Sequence, residues 1–251
     1  MLVIIPPVAY FIAFVFFLLR NLFQKRIKAL PYFFLTLGLV FYLVVLCERF
    51  SESKTFPIGD FYGMLSVIGN VSVLVFLILS RRLEFELFGS VVSFFAFLTT
   101  LFLIPSKETG FKNPLYILHI ISAGISYASI LFGGLVSSFK LFFEKRLKEK
   151  HIPTEFIPLR ILKRLEKVFV LLAFFGLTLT LVFGSIWAKV FLGTHWINDP
   201  KLLSTLVIWT YYTFLSHIYV LKLFRPHQIS YLILLGSGLG LVGLLFFRHS
   251  F

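Results

Sequence analysis

The sequence predicts an all-α integral membrane protein, a bundle of eight transmembrane helices with both termini on the outer side. Hydrophobic residues make up 59% of the 251-residue chain and charged residues 14%. The mean hydropathy is +0.95, so too little polar surface is left for a water-soluble fold. The chain also contains eight separate apolar runs, each close to the about 20 residues that a spanning helix needs.

The predicted spans follow one another with short polar connections. They cover residues 2–19, 31–47, 61–79, 87–104, 119–140, 168–187, 203–222 and 229–247. Because these spans use most of the chain, we expect a single polytopic membrane domain over residues 1–251 with no soluble domain. Basic residues follow the first run rather than precede it, which is the reverse of a cleavable signal peptide, so a retained span is expected.

The basic residues predict which side of the membrane each connection faces. Counted in alternate connections, 17 Lys and Arg residues fall on one side and 7 on the other. Cytoplasmic connections carry the excess of Lys and Arg, so the first side is predicted to be cytoplasmic. The connection between spans six and seven is then on the outer side. This distribution accounts for the net charge of +13 through membrane topology, without nucleic acid as a partner.

Two histidines and one aromatic connection are predicted on the outer side. His119 opens the fifth span, His249 follows the eighth, and the connection 187–201 joins spans six and seven. Two neutral imidazoles from separate helix ends can serve as the axial ligands of a haem iron. A porphyrin also packs well on aromatic side chains. The aromatic candidates are Trp187, Phe191, Trp196 and Trp209.

The orientation of His119 has two interpretations. Small residues recur at helical spacing along the fifth span, at Ser122, Ser126, Ser129, Gly133 and Ser137. Such a stripe marks helix-to-helix contact in membranes, and His119 continues it. His119 is therefore either an inward-facing ligand or an interfacial residue beside ordinary packing. Asn70 in span three and the Gly236/Gly240 pair in span eight are interpreted as packing features of the same kind.

His217 lies inside the seventh span, about 21 Å below its outer boundary at 1.5 Å per residue, in the inner half. An ionisable residue at such a depth is costly and is therefore a functional candidate. Thr210 and Thr213 share its side of the helix. Two interpretations remain open: a haem ligand where haem enters from the inner leaflet, or a histidine bonded to a neighbouring helix.

Cys47 is the only cysteine, so an intramolecular disulfide and a thiolate metal site are excluded. The chain also lacks a Cys-x-x-Cys-His motif, by which c-type haem is attached. Any haem is therefore expected to be b-type and bound non-covalently.

Several motifs recur along the later part of the chain: Leu118-His119, Tyr127, Glu144–Lys148, Gly184, Ile186–Ala188, Gly193, Trp196, Asp199–Lys201, Leu206, Trp209, His217 and His249–Phe251. Together they resemble the cytochrome c assembly protein family, in particular its CcsA/ResC-like members of system II cytochrome c biogenesis. The resemblance covers roughly residues 56–251.

The resemblance implies a site and partners. His119 and His249 would be the axial ligands of an outer haem, and His217 would belong to an inner haem site. Trp187, Trp196, Asp199 and Trp209 would help to present haem to apocytochrome c. A CcsB/ResB-like membrane subunit would complete a cytochrome c haem-lyase in the bacterial cytoplasmic membrane, with its site facing the periplasm or exterior. No catalytic side chain is implied.

The motif is altered at several positions. Leu192, Asn198 and Ser204 stand where the family usually has tryptophan, Leu202 where it has glutamate, and His195 where it has tyrosine. His195 is either an added ligand or an exposed loop residue. Three alternative functions stay open: a HemX-like protein that affects haem synthesis without ligation, a CcmC-like haem-delivery protein, and a haem-independent transporter. Eight spans argue against the CcmC-like alternative, whose relatives have six.

Overall fold

The computed structural model describes residues 2–23, 29–54, 60–80, 86–106, 113–150 and 157–246. In these ranges the chain forms a short 3-10 helix, Leu2–Ile4, and eight α-helices. The α-helices are α1 Ile5–Phe23, α2 Leu30–Ser53, α3 Phe61–Ser80, α4 Glu86–Leu101, α5 Pro114–Lys148, α6 Leu159–Leu192, α7 Pro200–Leu221 and α8 Pro226–Phe246. Each predicted span corresponds to one of these helices, so the all-α prediction is confirmed.

Six of the described helices are long and apolar enough to cross a membrane. They are the segment Leu2–Arg20 and helices α2, α3, α5, α6 and α8. The apolar part of α4, Phe88–Leu101, is shorter, and α7 carries polar side chains through its middle, among them Thr210, Thr213 and His217. The chain is therefore a helical membrane protein. Eight spans, outer termini and an outer connection between α6 and α7 stay predictions.

The chain forms two compact units, Met1–Ile120 and Ile121–Phe251, and the boundary falls inside α5. The single domain over residues 1–251 stays a prediction.

A buried amide links three helices of the first unit. Tyr10 of α1 donates its hydroxyl proton to Asn70 Oδ1 at 2.5 Å. The Asn70 Nδ2 group donates to Thr100 Oγ1 of α4 at 3.0 Å and to the Ser66 carbonyl at 2.8 Å. Because an unsatisfied amide is costly inside a membrane protein, these bonds specify how α1, α3 and α4 pack. The interpretation of Asn70 as an interhelical contact is confirmed.

The stripe of small residues on α5 packs against α6 in the second unit. Thr180 Oγ1 donates to Ser122 Oγ at 3.1 Å, and a Cβ placed on Gly176 would collide with Ser126 Oγ. Ser137 also bonds to α6, through Glu166. The prediction of a helix-contact stripe is therefore confirmed for this part of α5. Short side chains allow the two helices to approach closely.

The glycines of α8 also mark close contacts. A Cβ at Gly236 would lie 2.7 Å from Cε1 of Tyr211, and one at Gly240 would lie 2.5 Å from Cγ2 of Ile130. The packing role predicted for this pair is confirmed. Gly238 differs, since a Cβ built there meets no atom within 4 Å.

These contacts generate a matched comparison within one helix. Gly240→Ala should destabilise the protein by about 1–3 kcal/mol, because the added methyl group must displace Ile130. Gly238→Ala should leave stability within about 1 kcal/mol of wild type or raise it, since alanine favours helix. Thermal unfolding in detergent measures both. Equal losses from the two variants would contradict the packing of α8 against α5.

Candidate functional site

The connection between α6 and α7 is shorter than the predicted 187–201. Helix α6 continues through Trp187 and Phe191 to Leu192, and it ends where Gly193 adopts a positive φ of 75°. The irregular segment is therefore 193–199, because α7 begins at Pro200 and already contains Lys201. The prediction of a loop beginning at Trp187 is wrong. No glycine or proline lies between Trp187 and Gly193, so nothing ends the helix earlier.

Short-range hydrogen bonds hold segment 193–199 against the end of α6. Lys189 Nζ donates to the Gly193 carbonyl at 3.1 Å, and Ser185 Oγ lies 3.2 Å from His195 Nδ1. The indole Nε1 of Trp196 donates to Asn198 Oδ1 at 3.2 Å. These bonds give the Trp196 side chain a defined place while it remains 47% exposed.

Trp187 and Phe191 form a stacked pair at the end of α6. Their ring centroids are 5.5 Å apart with an interplanar angle of 22°. Trp187 is only 5% exposed, whereas Phe191 is 46% exposed. Of the predicted porphyrin bed, Phe191 and Trp196 therefore offer accessible aromatic surface. The buried Trp187 ring stacks against the exposed Phe191 ring.

Asp199 and Lys201 fix the beginning of α7. Asp199 is buried and accepts the backbone N–H of Leu202 at 2.9 Å as the N-terminal cap of α7. Lys201 Nζ donates to the Gly243 carbonyl of α8 at 2.8 Å and lies 5.2 Å from the ring centre of Tyr127 on α5. Lys201 precedes the predicted span 203–222. Burial lowers its pKa to about 8, against the opposing effect of the Asp199 carboxylate.

Trp209 is attached to α6 in the second unit. Its indole Nε1 donates to Thr178 Oγ1 at 2.9 Å. Trp209 is half-buried and lies two turns before His217 on α7. A half-buried indole that is fixed by a hydrogen bond can contact a ligand with little loss of side-chain entropy.

His217 is exposed, and one of its ring nitrogens has a defined role. Nδ1 lies 2.7 Å from the backbone carbonyl oxygen of Thr213. A carbonyl oxygen can only accept, so Nδ1 carries a proton, and the neutral form of this ring has its lone pair on Nε2. A backbone bond of this kind orients metal-ligating histidines. The Thr213 hydroxyl bonds to the Trp209 carbonyl instead.

The sequence predicted two histidines on the outer side, His119 and His249. His119 is half-buried on α5 and belongs to the first unit. His249 lies outside the described residues, so its pairing with His119 stays a prediction. Among the described residues, no three His, Cys, Asp or Glu side chains gather in a group that could hold a metal ion.

A buried ion pair was missed by the sequence analysis, which counted Lys140 among the Lys and Arg residues of the predicted cytoplasmic side and did not consider Glu166. Lys140 of α5 is 2% exposed and Glu166 of α6 is 0% exposed, and Lys140 Nζ lies 2.8 Å from Glu166 Oε2. Helical spacing could have revealed Glu166. It shares a buried side of α6 with Leu162 and Phe169.

Every hydrogen-bonding position of this ion pair is filled. Lys140 Nζ donates to Glu166 Oε2, to Ser230 Oγ at 2.7 Å and to the Pro226 carbonyl at 2.9 Å. Glu166 also accepts the hydroxyl protons of Ser137, Ser230 and Tyr219 at 2.8, 2.6 and 2.9 Å. An ammonium has three donors and a carboxylate has about four acceptor sites, so both are saturated. The ion-pair cluster, Ser137, Lys140, Glu166, Tyr219, Pro226 and Ser230, thus joins α5, α6, α7 and α8.

Breaking the ion pair on one side should cost more than removing both charges. Glu166→Gln should destabilise the protein by about 3–5 kcal/mol, because Lys140 stays buried with only the partly exposed Glu144 carboxylate, 4.0 Å away, as a counter-charge. The double variant Lys140→Met/Glu166→Gln should recover part of this loss. Thermal unfolding of the single and double variants in detergent measures the coupling.

Glu149→Gln is the matched control, because Glu149 pairs with Arg146 at 3.8 Å on the exposed surface. That variant should change stability by less than about 1 kcal/mol. Independent, additive losses for the Lys140 and Glu166 substitutions would contradict the buried pair.

The fold and the site together define a helical membrane protein with an exposed, oriented histidine and an aromatic segment between two helices. Residues 58–250 match the family described as Cytochrome C assembly protein. The chain belongs to this family, and the resemblance inferred from the motifs is confirmed.

Several relatives named Cytochrome c biogenesis protein CcsA are similar to the chain. The one from Guillardia theta is 22% identical, over 93% of this chain and 85% of its own length. The one from Prochlorococcus marinus (strain MIT 9215) is 26% identical, over 82% and 75%. The one from Cyanidium caldarium is 22% identical, over 89% and 87%. No solved structure matches the chain.

Proposed function

We propose that this chain is a haem-binding membrane protein of cytochrome c biogenesis that receives haem in the membrane and presents it on the outer face to apocytochrome c. The family and the CcsA relatives support a role in cytochrome c biogenesis. The observation that carries haem binding is His217, whose Nδ1 is bonded to the Thr213 carbonyl. This bond leaves Nε2 as a ready ligand for iron.

Histidines and aromatic residues would hold haem at two depths in the membrane, an inner site and an outer site. His217 would ligate iron in the inner half of the membrane, two helical turns from Trp209, whose indole is bonded to Thr178. His119 and His249 would be the outer axial pair, as the resemblance implies. In the second unit, Phe191 and Trp196 offer exposed aromatic surface for one face of a porphyrin. Trp187 supports this surface, and Asp199 fixes the helix that follows it.

The chain's own contribution is to bind, orient and expose its cargo. Haem supplies an iron that takes axial imidazoles and vinyl groups to which the thiols of apocytochrome c are joined. The histidines would hold haem non-covalently, as b-type haem, and no side chain of the chain enters the new bonds. Ligation by two outer histidines would also tune the iron's redox potential.

The proposed setting follows from charge and resemblance. The excess of Lys and Arg in alternate connections favours eight spans with both termini outside. The protein would then lie in the bacterial cytoplasmic membrane with its outer site towards the periplasm or exterior. A CcsB/ResB-like membrane subunit would be its partner, so that this chain is one part of a cytochrome c haem-lyase.

A second candidate function keeps haem but omits its attachment to protein. At three positions of the segment the chain lacks the aromatic rings that the resemblance leads one to expect. Leu192 is exposed at the end of α6, Asn198 bonds to the Trp196 indole, and Ser204 bonds to the Lys201 carbonyl. Fewer rings make a smaller bed for a porphyrin, which favours a HemX-like protein that affects haem synthesis.

Absorption spectra of the purified protein test haem binding. The wild type should show a Soret band, and His119→Ala, His217→Ala and His249→Ala should each shift or weaken it, because each removes a proposed iron ligand. His227→Ala is the control, since His227 is exposed in the first turn of α8. A wild-type protein without a Soret band would support a haem-independent transporter. Unchanged spectra in all three variants would refute the proposed ligands.

Co-expression distinguishes the two haem functions. Together with a CcsB/ResB-like subunit and a reporter apocytochrome c, the chain should yield covalent haem on the reporter, detected by haem staining after denaturing electrophoresis. His227→Ala should remain active, whereas His119→Ala and His249→Ala should lose most of the product. A haem-loaded chain that yields no covalent product would favour the HemX-like function.

A further inference from the structure

The ion-pair cluster contacts α7 two residues beyond His217. Tyr219 is buried and donates its hydroxyl proton to Glu166 Oε2 at 2.9 Å. An α-helix turns by about 100° per residue, so positions 217 and 219 are about 200° apart around the axis. Holding Tyr219 against α6 therefore turns His217 to the opposite side of α7. The observed exposure of His217 agrees with this geometry.

The same cluster also holds the turn that follows α7. Helix α7 ends at Leu221, where Lys222 adopts a left-handed conformation and its N–H bonds to the Ile218 carbonyl. Four residues later, the Pro226 carbonyl oxygen accepts a hydrogen bond from the Lys140 ammonium group. The last turn of a helix lacks part of its backbone hydrogen bonding, so its rotation depends on tertiary contacts. In this protein the hydrogen bonds that link the end of α7 and the following turn to other helices are made with Glu166 and Lys140.

We propose that Glu166 is a positioning residue for His217, fixing the rotation of the inner end of α7 through Tyr219. Glu166 does not touch haem. Its role is to set the direction in which Nε2 of His217 meets the iron. The Thr213 carbonyl orients the imidazole relative to its own helix, and Glu166 orients that helix relative to α5, α6 and α8. This inference rests on the proposed haem role of His217.

Tyr219→Phe is the decisive variant because it removes one hydroxyl group and leaves the Lys140–Glu166 pair intact. The matched control is Tyr211→Phe on the same helix. The Tyr211 hydroxyl donates to the Leu232 carbonyl of α8 at 2.8 Å, outside the ion-pair cluster. Both variants lose one hydroxyl from α7, and only one of them loses contact with Glu166.

The measurement is a haem titration of the full-length protein with absorption spectra and midpoint potentials. The His217-dependent signal is the difference between wild type and His217→Ala. In Tyr219→Phe this signal should weaken, with a loss of affinity of about tenfold, as for other groups that orient a metal ligand. Glu166→Gln should change it in the same direction, and added imidazole should restore the low-spin spectrum. Tyr211→Phe should match the wild type.

The possible failures are distinguishable. A His217-dependent signal that is equally strong in Tyr219→Phe and Tyr211→Phe overturns the positioning role, even if Tyr219→Phe lowers the unfolding temperature. A haem-binding protein whose spectrum is unaffected by His217→Ala overturns the haem role of His217 and this inference with it. Because Tyr219→Phe keeps the buried charges paired, its result decides the inference even if Glu166→Gln does not fold.

Discussion

The carboxylate of Glu166 accepts hydrogen bonds from three other helices, and the packing of the second unit around the end of α7 depends on it. A buried charge is stable only where its partners are complete, since desolvation otherwise exceeds the electrostatic gain. Glu166 meets this condition with four donors, and Lys140 meets it with three acceptors. A shift of any one helix would break at least one of these bonds. The cluster therefore selects one arrangement of α5, α6, α7 and α8.

The beginning of α7 and the segment that precedes it are held in different ways. At its beginning, Asp199 caps the helix and Lys201 reaches α8, so the helix starts at a fixed place. Segment 193–199, just before it, is held by bonds between residues close in sequence, and Trp196 stays exposed. A surface that offers cargo to another protein must remain accessible. A helix with a fixed beginning next to an exposed segment would suit the proposed presentation of cargo.

The sequence predicted the helices well because long apolar runs leave few alternatives in a membrane protein. It also predicted the packing of Asn70 and Gly240, since small and polar residues in apolar helices mark contacts. The boundary at Trp187 failed because aromatic residues suit both a helix and an interfacial loop. Gly193 was the available signal for the true end of α6.

The candidate site was predictable only in part. Composition and motif spacing selected His217 and Trp209, but the Nδ1 bond to the Thr213 carbonyl depends on a side-chain rotamer that no sequence pattern specifies. The Lys140–Glu166 pair was missed for a different reason. Lys140 was counted only for its charge and Glu166 was not considered, although Glu166 shares the helical spacing of the buried Leu162 and Phe169. Periodicity was the better guide there.

The length of α6 has a consequence for the depth of these groups. Glu166 and Leu192 are 26 residues apart in one continuous helix, a distance of about 39 Å at 1.5 Å per residue. The hydrocarbon layer of a bilayer is about 30 Å thick. Even at an average tilt of about 20°, one end of this stretch must reach the lipid headgroups. If segment 193–199 is level with the outer surface of the hydrocarbon, Glu166 lies at the depth of the inner headgroups, where the higher dielectric constant of the surroundings reduces the cost of burying its charge.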